Sequence, residues 1–228
     1  MSEISYNIIS YDPEKLGLIK ITKKVLADFL NLVGVDVSVQ CLECSGRDQL
    51  VSEWETIGYY EGSDDDGFPG RLLTLSSKVA SQLPASKGHK RILVTSIDIG
   101  RVVGTSYGWI AIISSHQIQD DPETFATTVF HELGHIHGAP NTERKKVDRQ
   151  VNNDPEIVEL EKEMQGENAI YECLDFGEHC LNQNCTMRQR LTFENWKVLT
   201  KERLAADSPY CESCLANIMS HFEALKGK

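Results

Sequence analysis

At 228 residues and 40% hydrophobic, the chain is long enough for one sizeable core, and a single domain over 1–228 is the expectation. A formal net charge of −11 and a pI near 5.1 exclude a surface built to neutralise phosphates, so no nucleic acid partner is expected. No apolar run reaches membrane-spanning length, and the opening MSEISYNIISYDPEK lacks the basic and then apolar plan of a secretory signal; no membrane partner and a cytoplasmic location follow as expectations.

ISYNIISY (4–11) alternates and is β-rich. PEKLGLIKITKKVLADFLNLVG (13–34) carries apolar residues at helical spacing and stops at Gly34, and VDVSVQCL (35–42) alternates again, so the opening is a β-α-β unit. EGSDDDGFPG (61–70) is an acidic turn without the ligand spacing of a calcium loop. FPGRLLTLSSKVASQL (68–83) reads as a second helix, followed by strands at RILVTSIDIG (91–100) and YGWIAIISSHQI (107–118). A sheet with packed helices, an α/β (α+β) class, is therefore the expected scaffold.

DDPETFATTVFHELGHIHG (120–138) is the best-marked helix: Asp120 or Asp121 caps it, Pro122 suits its first turn, and Gly138 suits a left-handed stop. At ~100° per residue, His131 and His135 lie ~40° apart on one face, so two imidazoles can grip one ion with Glu132 beside them. Zinc with three protein ligands keeps a position for water, and a glutamate there serves as general base. His137, ~200° round the helix from His135, faces away and reads as a surface residue or one supporting the ligands from behind. Asn141 offers only a neutral carbonyl oxygen, a poor substitute for imidazole.

The charged stretch after 139 holds one short amphipathic helix behind Asp154-Pro155. A helix over about 192–206 and a terminal helix after SPYCESC complete the chain. In a reducing compartment the seven cysteines need a role other than disulfides. Cys180, Cys185, Cys211 and Cys214, spaced C-x4-C and then C-x2-C, match a four-sulfur closed zinc site; four unrelated buried thiols are the plainer reading, and Cys173 is a less well-spaced substitute. Cys41 and Cys44 read as strand-end thiols, and His89, His116 and His221 as surface or structural residues.

Together HELGHIHG, HCLNQNCTM and CESC resemble the archaemetzincins, zinc metallopeptidases of the metzincin clan. The family runs HExxHxxGxxH directly into a cysteine, four residues, another cysteine, x-Met and a later CxxC. The resemblance implies that His179 is the third catalytic-zinc ligand, displaced by an insertion over 139–176. It also implies that Met187 is the Met-turn residue beneath the metal, and that the four cysteines hold a second, structural zinc. Two zinc ions per chain are then expected. The implied fold is a metzincin-like mixed twisted sheet with packed helices: a subdomain over 1–138 ending in the active-site helix, and a small zinc-bound helical one over 177–228. GWIAIISS is similar to the family's substrate-binding edge strand. Lengthening the loop from two to forty residues costs about 2.7 kcal/mol, which zinc binding at about 10–16 kcal/mol readily offsets.

The resemblance implies hydrolysis of a peptide or protein substrate. Two alternatives are a zinc-stabilised binding protein with a disabled or covered site, and a zinc hydrolase of small amides or esters.

Overall fold

The computed structural model describes residues 4–10, 16–43, 89–96, 103–118, 121–140, 179–180, 182, 185–187, 201–205 and 208–226. The expected helix over 68–83, the acidic turn, Cys44, Asn141, Cys173 and nearly all of the expected insertion lie outside them.

The β-α-β opening forms as its periodicity dictates. Strand β1 (Ser5–Ser10) pairs in parallel with β2 (Ser38–Glu43), and helix α1 (Leu16–Val33) connects them. Helix α1 buries Leu18, Ile19, Val25, Leu26, Phe29, Leu30 and Val33 and exposes Lys20, Lys23, Lys24 and Asp28, a single apolar stripe. Gly34, at φ +65°, ends it in the left-handed region that a side chain would resist.

The sheet runs in the order β2-β1-β3-β5-β4, with β3 at His89–Thr95, β4 at Gly104–Tyr107 and β5 at Ile110–Ser114. β1, β2, β3 and β5 are parallel, whereas β4 is antiparallel to β5 and forms the edge. The sheet is therefore mixed, as expected. One expectation is corrected here. The stretch 107–118 is not one strand: Gly108, at φ +58°, turns the chain between β4 and β5. All five β5 residues are buried, so the edge beside the helices is β4.

Tyr6, Ile8, Ile92, Val94, Ala111 and Ile113 face the helices and join one apolar core with α1, helix α2 (Pro122–Ile136) and helix α3 (Glu212–Lys226). Phe29 is its hub: its ring lies 5.4 Å from His137, 6.2 Å from Tyr210 and 6.1 Å from Phe222. Truncating so buried an aromatic typically costs about 3–5 kcal/mol. No described helix is long and apolar enough to cross a membrane.

Candidate metal centre

Helix α2 begins and ends where its sequence says it must. Asp121 is the N-cap, its Oδ1 accepting from the backbone N–H groups of Glu123 at 3.1 Å and Thr124 at 3.2 Å, and Pro122 opens the first turn. At the other end Gly138, at φ +77°, carries the chain away. Lys90 Nζ donates to the terminal carbonyl of Ile136 at 2.8 Å, placing a cation at the negative end of the helix dipole.

One turn apart on this helix, His131 and His135 bring their Nε2 atoms to 3.0 Å. His179 joins them from far downstream, its ring 5.3 Å from His131 and 5.1 Å from His135 by centroids. One ligand nitrogen from each of the three lies within 4.8 Å of the others. Tetrahedral zinc with ~2.0–2.1 Å bonds needs nitrogens roughly 3.3 Å apart, so the trio fits such an ion. His131 Nδ1 donates to the Thr186 carbonyl at 2.6 Å, which leaves Nε2 as the lone-pair nitrogen facing the cluster. Burial pushes the His131 imidazole down to about 4, so it is neutral, the form that binds metal.

Glu132 is 4% exposed and lies against the edge strand. A Cβ on Gly104 would sit 2.7 Å from Glu132 Oε1 and 2.9 Å from Thr128 Cγ2, so only glycine allows the carboxylate this place. Two residues on, and therefore on the same face of β4, the Ser106 hydroxyl donates to the Glu132 carboxylate. Burial raises Glu132 to about 8, the Ser106 bond opposing the rise, and Oε2 has no hydrogen-bond partner among the described residues. The carboxyl is thus held dry, one oxygen bonded by Ser106 and the other facing no such partner, beside three converging imidazoles.

Beneath the helix lies Met187, fully buried; a Cβ on Gly134 would meet its Sδ at 2.1 Å. Tyr210 closes the same floor and donates its hydroxyl to the Phe130 carbonyl at 2.5 Å.

The four cysteines converge too. One sulfur from each of Cys180, Cys185, Cys211 and Cys214 lies within 4.8 Å of the others, and all are free thiols. Cys180 Sγ and Cys211 Sγ are 3.8 Å apart, close to the edge of a tetrahedron built on ~2.3 Å zinc–sulfur bonds. Hydrogen bonding within the set pulls Cys180 down to about 7 and Cys211 below its ordinary value, while it drives Cys185 and Cys214 up. Four sulfurs so close cannot all be anionic alone; a divalent cation resolves the conflict. Both clusters therefore fit zinc.

This architecture has a counterpart among solved structures: archaemetzincin from Methanopyrus kandleri matches with a TM-score of 0.53 and 16% identity, over 97% of this chain and 97% of that one. The fold is archaemetzincin-like. No protein-family model matches the sequence, and no curated protein is similar to it in sequence.

Within this archaemetzincin-like fold, two readings of the sequence are corrected. His137 does face away from the metal cluster, but it is not a surface residue: it is fully buried, its Nε2 sharing a hydrogen bond with the Tyr6 hydroxyl at 2.6 Å and its ring stacked at 4.4 Å on Phe222. Burial drives its pKa well below the usual value, with the charges of Lys90 and His221 acting in the same sense. The strand lying beside Glu132 is β4 rather than the GWIAIISS segment. Of the other residues singled out, Cys41 is exposed on β2 and His221 packs against His137 at 5.3 Å. Gly104, Ser106, Thr186 and Tyr210 were not found by sequence reasoning. A glycine and a serine two apart on a strand, or a backbone carbonyl, carry no signature of their own.

Proposed function

We propose that this chain is a zinc metallopeptidase in which His131, His135 and His179 hold the catalytic ion and four cysteines hold a second, structural zinc. The observation that carries this reading is the convergence of three imidazole nitrogens beside a buried, glycine-cradled carboxylate. The archaemetzincin-like fold supports it.

A bound zinc ion supplies Lewis acidity there, acidifying water and polarising a peptide carbonyl. The rest of the work falls to the chain. Neutral His131, held by the Thr186 carbonyl, presents Nε2, and His135 and His179 complete the cradle. Glu132 takes the proton of the attacking water as its oxygen bonds to the carbonyl carbon. The carboxyl then passes that proton to the amine nitrogen as the C–N bond breaks. With a cation held by the three imidazoles, the carboxyl would stay ionised and able to accept, and its burial would favour holding the proton until it is passed on. Ser106 holds the carboxylate between them. Strand β4 pairs only with β5 among the described residues, and an extended peptide adds to its outer edge by main-chain hydrogen bonds. Free cysteines suit a reducing, cytosolic compartment.

The test is cleavage of a mixed library of quenched fluorogenic peptides by zinc-loaded wild type and Glu132→Gln. The wild type should cut, and the variant should be slower by about 100-fold or more; equal rates sink the reading. One observation favours a second reading, a zinc-stabilised binding protein with a covered site: His131 and Glu132 are only 5% and 4% exposed. A wild type that loads zinc at its histidines and cuts no peptide favours that alternative.

A further inference from the structure

The two clusters share a loop. The described residues between 179 and 187 are neither helix nor strand, yet they carry one histidine of the trio, two of the four cysteines and the methionine of the floor. His179 and Cys180 are consecutive, so the third imidazole hangs one peptide unit from a cluster sulfur. At the loop's other end, Thr186 stands between Cys185 and Met187, and its carbonyl accepts from His131 Nδ1 at 2.6 Å. The two ends are tied by Cys180 N–H donating to the Met187 carbonyl at 2.8 Å. Sulfur organises the remainder: Asn182 N–H donates to Cys180 Sγ, and Cys211 N–H to Cys185 Sγ, each at 3.4 Å. Across from the loop, Thr186 N–H donates to the Pro209 carbonyl at 2.8 Å, two residues before Cys211.

We propose that the four-cysteine site is a positioning device for the catalytic site: the metal it holds sets the loop that delivers His179 and orients His131, so the two sites fill cooperatively. Two of the three histidines are reached through the cysteine loop, whereas His135 is positioned by helix α2 and meets the loop at the His179 ring. Losing the sulfur-held metal frees both ends of the loop. The histidine site then keeps a two-imidazole remnant, with His131 no longer held in its donor tautomer. Because binding linkage is reciprocal, filling the histidine site must tighten the cysteine site by the same factor.

This inference rests on the reading that both clusters bind metal, but not on peptide cleavage, and its test measures only binding. Apo protein is titrated with Co(II) and followed by absorption, sulfur-to-cobalt charge transfer reporting the cysteine site and weaker visible bands the histidine site. In wild type the histidine-site bands should saturate at a cobalt concentration about 10- to 100-fold lower than in Cys211→Ser/Cys214→Ser, where the loop is released. His135→Ala supplies the reverse arm without replacing a cysteine or any residue of the loop. Chelator competition should show its cysteine site weaker than that of fully loaded wild type by the same factor.

Equal histidine-site affinity in wild type and a folded cysteine variant overturns the proposal. Should the cysteine variant fail to fold, the His135→Ala arm decides alone, and an unchanged cysteine-site affinity there overturns it. A protein that fills both sites cooperatively and cuts no peptide keeps this inference and loses the peptidase reading.

Discussion

Gly134→Ala adds one methyl at the point where helix α2 rests on its floor. The new Cβ would lie 2.1 Å from Met187 Sδ and 3.3 Å from Tyr210 Cε1, against the 3.4 Å at which ordinary contact begins. Met187 is fully buried, so its sulfur must retreat by more than about 1 Å into packed surroundings. Overpacking of this kind costs about 1–3 kcal/mol, set against about 1 kcal/mol gained from helix propensity. The net loss is about 0–2 kcal/mol, and a double-mutant cycle with Met187→Ala isolates the clash within it. Met187→Ala alone should cost about 2–5 kcal/mol through the cavity it leaves. With the sulfur gone, Gly134→Ala should turn stabilising by about 1 kcal/mol, giving a coupling of about 1–3 kcal/mol. Urea unfolding of the four zinc-loaded proteins at one fixed free-zinc concentration measures all the corners. Gly134→Ala that stabilises the wild-type background, with no coupling to position 187, refutes the packing argument.

Gly104→Ala should push Glu132 Oε1 out of its cradle, lowering peptide cleavage by at least about tenfold while zinc content, read by atomic absorption, stays unchanged. Ser106→Ala should lower turnover more than it changes KM, and Ser106→Thr, which keeps the hydroxyl, should restore it. Tyr6→Phe strips the buried His137 Nε2 of its hydrogen-bond partner and should cost about 1–3 kcal/mol in denaturant unfolding. Asp121→Ala uncaps two N–H groups of α2 and should cost about 1 kcal/mol by the same measurement.

The parts of the fold that were legible in the sequence are those whose physics is local. Helix α2 was readable end to end because Asp121, Pro122 and Gly138 each act within a turn of where they stand. The β1-α1-β2 opening was readable because its apolar periodicity changes from two to 3.6 and back. The β4–β5 turn was not, since Gly108-Trp109 sits inside an apolar run with no polar break and lacks an Asn-Gly or Asp-Gly pair. Helical geometry said correctly that His137 points away from His135, but not what lies on that side. With α1 and α3 packed there, the far face of α2 is core rather than solvent. His179 was beyond spacing rules altogether, because nothing local links a histidine to two others far upstream; only the resemblance in HCLNQNCTM pointed to it. The Thr186 carbonyl was beyond any rule that reads side chains.

The C-terminal end of helix α2 is moored to the middle of the sheet, through Tyr6 on β1 and Lys90 on β3. A helix tethered at that end to two central strands has little freedom to slide along its axis. Motion that admits and releases ions, or widens the cleft for a chain to enter, is then expected from the opposite wall. Metal should leave by a peeling route, with the downstream imidazole swinging away first and the helical pair letting go last. Amide protons of α2 should then be among the slowest to exchange even in metal-free protein.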